Sequence, residues 1–260
     1  MTVEINAIID KINIGMKRAY IDTLNFTGDP TQRFGAEYLF TVNVAKAIGE
    51  LNVPHGEPYR IYIEKKTKDV AKNCLPILKK SKGGGFLKKN GTIFRSNHPL
   101  PIIERNGRID IAVYREKNNS EHFEHVPFCI IELKGFNPNR TLVVQDLKRN
   151  ADLLRASGPT GASSIQMGVF SAAHQIKQFN TDAKIINETN KILSKYKSYY
   201  SEIGGENDLK IVTRKFLLSR EMEGVITQEY DGTYVDTSTR HCFIGIIVIM
   251  TLKNSDIHLE

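Results

Sequence analysis

Cysteine is scarce in this chain. Its three cysteines, Cys74, Cys129 and Cys242, show no CxxC and no paired spacing. That argues against a disulfide framework and against a cysteine-built zinc site, and it suits a reducing cytoplasm, the expected location. Long apolar runs are also lacking. The strongest, Cys242 to Leu252, is too short to span a membrane as a helix. Glu4, Asp10 and Lys11 interrupt any signal-peptide core near Met1, so no membrane partner is expected. The histidines His55, His98, His122, His125, His174, His241 and His258 form no HxH or HExxH arrangement. There is no GxxxxGK(S/T) phosphate loop, no GxSxG elbow and no dinucleotide fingerprint. Neither an internal repeat nor a clear interdomain linker is visible.

What is present is ordinary for a globular protein. The 260 residues are 40% hydrophobic and 25% charged, enough for one large domain with a substantial core. A net charge of +7 and a pI near 9.2 tilt the chain toward a polyanionic partner, nucleic acid first among them. Much of the basic charge lies in residues 65–100, around Gly83-Gly84-Gly85. Lys82, Lys88 and Lys89 are candidates for gripping a phosphate backbone, where such contacts give affinity without sequence information. A solvated surface loop is the plainer reading of the same stretch.

Periodicity predicts helices over 1–24, 32–51, 141–156 and 182–200, and strands over 59–64, 107–114, 126–134, 164–172, 209–218 and 242–252. A turn is expected at Gly28-Asp29-Pro30-Thr31 and another at Asn118-Asn119-Ser120, which would join 107–114 and 126–134 as an antiparallel hairpin. Leu142, Leu147, Leu153 and Leu154 are expected on the buried side of the 141–156 helix. The stretch between the last two strands reads as an irregular connection. Phe243 to Met250 is hydrophobic on both faces, as expected of a strand inside the core.

Two strands carry an anomaly. In Cys129-Ile130-Ile131-Glu132-Leu133-Lys134-Gly135, side chains alternate, so Glu132 and Lys134 project from one face while Ile131 and Leu133 project from the other. Asp110 sits in the preceding apolar run between Ile109 and Ile111. Charge in apolar strands is costly unless it is paired or holds a metal. The bare (D/E)xK pattern recurs at Glu64/Lys66, Asp146/Lys148, Asp182/Lys184 and Asp208/Lys210. Only Glu132/Lys134 combines an apolar lead-in, a closing glycine and an upstream aspartate. Asp146 and Asp182 fall on predicted helices, where residues two apart share no face.

The order of elements with Asp110 on one strand and Glu132-Leu133-Lys134 on the next resembles the PD-(D/E)XK phosphodiesterase superfamily, the restriction-endonuclease-like nucleases. The resemblance covers roughly residues 32–172. Asp110 matches the first acid of the motif, Glu132 the second and Lys134 the lysine, while Ile109 stands in place of the proline. Glu37 matches the acid often carried by the first core helix, and Gln145 with Lys148 and Arg149 resembles the polar positions after the motif. The resemblance implies an α/β fold, a mixed central sheet flanked by helices, with an N-terminal helix and C-terminal strands added to a single nuclease domain. It implies Mg2+, with Mn2+ as a substitute, and a nuclease acting on DNA in restriction, phage defence, repair or recombination.

The chemistry follows from residue types. Phosphodiester hydrolysis needs an activated water and charge stabilisation at the phosphate, both of which Mg2+ held by carboxylates supplies. Asp110 and Glu132 are the expected ligands, with the Ile131 carbonyl and Glu37 as further oxygen donors. Lys134 would stabilise charge and orient the water or, with a lowered pKa, act as the base. Gln145 and Lys148 would position the phosphate, and Arg149 is a further candidate contact. A catalytically silent member of the same fold and an RNA-directed nuclease are the alternatives. Many relatives are dimers or work inside larger complexes, which leaves a homo-oligomer or a partner subunit open.

Overall fold

The computed structural model describes residues 2–27, 36–75, 103, 106–119, 122–158, 161–177, 182–205, 207–219, 226–236 and 241–255. Among them, helices α1 (Thr2–Thr27), α2 (Ala36–Gly49), α3 (Thr67–Asn73), α4 (Arg140–Arg155) and α5 (Asp182–Glu202) surround one six-stranded sheet. Its strands are β1 (Tyr59–Lys66), β2 (Arg108–Asn119), β3 (His122–Phe136), β6 (Met167–Lys177), β7 (Leu209–Leu217) and β10 (His241–Leu252). Short pieces β4 (Ser157–Gly158) with β5 (Gly161–Ala162), and β8 (Ile226–Glu229) with β9 (Gly232–Val235), make two small hairpins. The sheet order is β1-β2-β3-β6-β10-β7. Only β3 and β6 run parallel, joined through α4; the other neighbours are antiparallel.

The alternation of β3 divides the core. Ile111, Val113, Cys129, Ile131 and Leu133 face the layer of α1 and α2, meeting Ile5, Ile9, Ile12, Phe40, Val44 and Ile48. Ala112, Ile130, Phe170, Ile246 and Val248 face the other layer, with Leu147, Ala151, Leu154 and Tyr196 from α4 and α5. Burial of the Ile, Leu, Val and Phe side chains among these stabilises by roughly 1.5–3 kcal/mol each relative to exposure, before conformational entropy is subtracted. β10 is buried from Cys242 to Thr251 and lies between β6 and β7. The C-terminal strands therefore complete the same sheet that carries the Asp110 and Glu132 strands.

Several expectations change. Residues 67–73 form α3, its basic composition notwithstanding, and Thr67, Val70 and Ala71 are its buried side. The connection expected to be irregular contains the β8–β9 hairpin. Leu142 is 44% exposed, because the buried stripe of α4 runs through Val143, Asp146, Leu147, Asn150, Ala151 and Leu154. The turn at 28–31, the glycines at 83–85 and the candidate phosphate contacts Lys82, Lys88 and Lys89 lie outside the described residues. No helix among the described residues is long and apolar enough to cross a membrane.

Two close approaches place the helices that matter for the site. Gly15 of α1 abuts α2 so tightly that a Cβ there would stand 2.8 Å from the Val44 nitrogen and 2.9 Å from the Asn43 oxygen. α4 is seated on β6, where Asn150 Nδ2 donates to the Val169 carbonyl at 3.0 Å. A Cβ on Gly168 would meet Asn150 Cβ at 3.1 Å. At its start, Asn139 caps α4 by accepting the Thr141 amide at 2.8 Å.

Candidate active site

The β2–β3 ladder runs from Asn119/His122 down to Ile111/Ile131 and ends there. One step further along the same register, Asp110 stands opposite Glu132. Asp110 Oδ2 accepts the Leu133 amide at 2.7 Å, taking a donor that the ladder leaves unused at its end. Just past Lys134, Gly135 is an extra residue relative to β6, since Lys134 pairs with Ala172 and Phe136 with Ala173. A bulge at this point bends the strand and ends its regular pairing, a device common beside functional sites. Ile131, a candidate for a carbonyl ligand, is fully buried in register with Ile111 and Val169.

The expected acid pair and lysine share one face and are nearly dry: Asp110 is 8% exposed, Glu132 0% and Lys134 9%. Lys134 Nζ joins three elements, donating to Glu37 on α2 and to its neighbouring Leu133 carbonyl, and lying 3.5 Å from Asp146 Oδ2 on α4. Glu37 sits in the first turn of α2 with its side chain half-exposed, at the mouth of this cluster.

Arg149 departs from the expectation. Expected as a contact to nucleic acid, it is instead 3% exposed and turned inward. Its Nη2 makes an ion contact with Glu132 Oε1 and donates to Asp146 Oδ1 at 3.1 Å. That contact with Glu132 is close but poorly aligned, for neither carboxylate oxygen of Glu132 has a hydrogen-bond partner and Arg149 Nε has none either. Gln145, next to Asp146, lies on the exposed side of α4, and Lys148 is half-buried.

Asp146 is the residue that the sequence reading passed over. Asp146 and Lys148 lie on a helix, as expected, yet Asp146 itself faces the sheet and is fully buried. The signal that finds it is the apolar stripe of α4, Val143, Leu147, Ala151 and Leu154, into which Asp146, Arg149 and Asn150 fall at helical spacing.

The electrostatics are those of a crowded, buried acid cluster. Burial pushes the Asp110 carboxyl up to about 6, against the opposing pull of Lys134 and the Leu133 amide. Burial and the adjacent Asp110 push Glu132 well above the usual carboxylate range, with Arg149 working against them. Lys134 moves the other way from a typical buried lysine: burial alone would lower it, but Asp146, Asp110 and Glu37 hold it above its ordinary value. It is therefore an ammonium at neutral pH, suited to stabilising negative charge and not to accepting a proton.

No family model, no curated protein and no solved structure matches this chain. The site has to be read from its own chemistry.

Asp110 and Glu132 are the residues suited to hold a divalent cation. Two buried carboxylates face each other across adjacent strands, and both Glu132 oxygens lack hydrogen bonds. Mg2+ is commonly held by one or two carboxylates and completes its shell with water, so this donor set fits it. As the side chains stand, no three His, Cys, Asp or Glu groups among the described residues converge on a common point. The cations Lys134 and Arg149 engage Glu37, Asp146 and Glu132 instead.

Proposed function

We propose that the chain is a metal-dependent nuclease of the restriction-endonuclease-like kind, hydrolysing phosphodiester bonds in DNA. The observation that carries this reading is the Asp110–Glu132 pair with Lys134 beside it, held in a buried place where both carboxyls are pushed up. An arrangement that burdens stability in this way is what a site, more than a scaffold, retains. A mixed sheet with helices on both faces, its acids on adjacent strands, agrees with that reading but is shared by many activities.

A divalent cation bound by Asp110 and Glu132 would supply Lewis-acid polarisation of the phosphate and of the attacking water. The chain does the rest. Lys134 presents an ammonium at the cluster's mouth, where it would donate to a phosphate oxygen as charge builds up. Glu37, reaching from α2, holds the ammonium in place and is exposed enough to orient a water. Asp146 anchors the lysine from the opposite side, so that the Nζ position is fixed by two helices. The basic net charge of +7 suits a polyanionic substrate.

A second reading has its own observation. The ion contact of Arg149 with Glu132 is also what a catalytically silent binder of the same fold would show, its acid neutralised permanently. Purified protein incubated with plasmid, linear and single-stranded DNA and with RNA, in Mg2+, Mn2+ or EDTA, separates the two. Metal-dependent cleavage lost in Glu132→Ala and Lys134→Ala supports the nuclease. Salt-sensitive binding with no cleavage of any substrate supports the silent binder, and preferential cleavage of RNA replaces DNA as the substrate.

A further inference from the structure

We propose that Arg149 is a built-in competitor of the metal: its guanidinium occupies the Glu132 carboxylate until a divalent cation displaces it onto Asp146. The inference rests on the nuclease reading and concerns how that site takes up its cation. Three observations point to it. Arg149 is positioned on α4 with an acid on either hand, Glu132 on β3 and Asp146 one turn before it on the same helix. Its bond to Asp146 is a regular hydrogen bond at 3.1 Å, whereas its contact with Glu132 is an ion contact without alignment, and its Nε lacks an acceptor. Glu132 is fully buried, so without a cation of some kind its charge would be uncompensated in a dry site.

A guanidinium that bridges two acids is held by one even when it loses the other, because its planar fork offers several donors. Asp146 is then a positioning residue that keeps the displaced Arg149 inside the protein, while Asp110 and Glu132 would hold the cation. Binding of metal and the Arg149–Glu132 contact exclude one another, so each weakens the other by the same factor. The helix that carries Arg149 is pinned to β6 by Asn150. The exchange therefore needs side-chain motion alone.

The test measures metal binding, not turnover. Mn2+ affinity is determined by calorimetry on the full-length chain, wild type against Arg149→Gln, Arg149→Lys and the control Glu132→Gln. Removal of the competitor is expected to tighten binding about tenfold, a usual size for coupling between linked sites. Lysine, with no fork to bridge both acids, is expected to fall between wild type and glutamine. In wild type, the Arg149 Nε–H resonance, assigned by its loss in Arg149→Lys, is expected to shift on Mg2+ saturation. If Arg149→Gln does not fold, the lysine variant and the wild-type resonance decide. Binding that Glu132→Gln abolishes but that Arg149→Gln and Arg149→Lys leave equal or weaker overturns the competitor and leaves the nuclease reading standing. An Arg149 resonance unmoved at saturation does the same. If neither wild type nor either Arg149 variant binds Mn2+ at millimolar concentration, the competitor and the nuclease reading both fall.

Discussion

Asp110 stands opposite Glu132 one register step beyond the last paired residues of β2 and β3, Ile111 and Ile131, and its Oδ2 accepts the Leu133 amide at 2.7 Å. The strand end that would otherwise leave an orphan N–H thus becomes the fixing point of a buried acid. A backbone donor orients Asp110, and the β3–β6 ladder, in which Glu132 pairs with Phe170, orients Glu132, so neither depends on a loop.

Asp110 burdens the fold at neutral pH. Its folded value of about 6 lies above the ordinary 3.8 of an aspartate. A raised carboxyl contributes stability that is present below the unfolded value and lost as pH rises through the folded one. The loss integrates to about 3 kcal/mol across that window. Asp110→Asn keeps an oxygen for the Leu133 amide and removes the charge. Chemical denaturation should show this variant more stable than wild type at pH 7.5 and nearly equal to it at pH 4. A variant less stable at pH 7.5 would mean that Lys134 compensates Asp110 fully.

The same titration sets metal uptake. The cation requires Asp110 and Glu132 ionised, so protons compete with it. Mn2+ affinity of the wild type should rise as pH passes upward through about 6, where Asp110 ionises, and Glu132, also raised by burial, adds to the same pH dependence. Calorimetry between pH 5 and 8 checks this, and an affinity independent of pH would remove Asp110 from the ligand set.

Lys134 is predicted to act as a cation. Lys134→Met should lower cleavage by about 10²–10³-fold, the usual cost of removing one electrostatic donor from a transition state. Metal affinity should not fall, since an adjacent positive charge is lost. With Lys134 held above its ordinary value, no rate-limiting deprotonation of this residue should appear in the pH–rate profile below pH 9. A profile rising with a lysine-like value in that range would restore Lys134 as the base.

Gly15 is predicted to affect Glu37 through the helix that carries it. Because α1 touches the α2 backbone at Val44, Gly15→Ala forces the helices apart and should cost about 1–3 kcal/mol. Since α2 carries Glu37, the Glu37–Lys134 contact should loosen with it. Thermal unfolding and metal-dependent activity should fall together, and a variant with unchanged stability would show that the helix contact yields without strain.

How much of this was legible follows from periodicity. The β3 alternation places Glu132 and Lys134 on one face because side chains alternate with a period of two. The same pattern in 107–114 delivers Asp110 to the adjacent strand. β10 announces itself as a core strand because both its faces are apolar. Asp146 and Arg149 were harder, because a buried acid and a buried arginine on a helix are spelled like surface residues, and only the stripe of Val143, Leu147 and Ala151 shows which way they face. Leu142 misled for the converse reason: an apolar residue one position off the stripe points outward. The β8–β9 hairpin escaped notice because Thr227, Gln228 and Thr233 give it no apolar alternation, and its two-residue turn is Tyr230-Asp231, with Gly232, at a φ of 153°, opening β9. That Arg149 turns onto Glu132 is a tertiary fact, since the two are brought together by the packing of α4 on β6.

The most direct measurement is cleavage of supercoiled plasmid by wild type and Glu132→Gln side by side, each in Mg2+ and in EDTA. Nicking or linearisation by wild type in Mg2+ alone, with Glu132→Gln folded and inactive, is the predicted result. Equal cleavage by the two proteins, or cleavage by wild type that persists in EDTA, would contradict it.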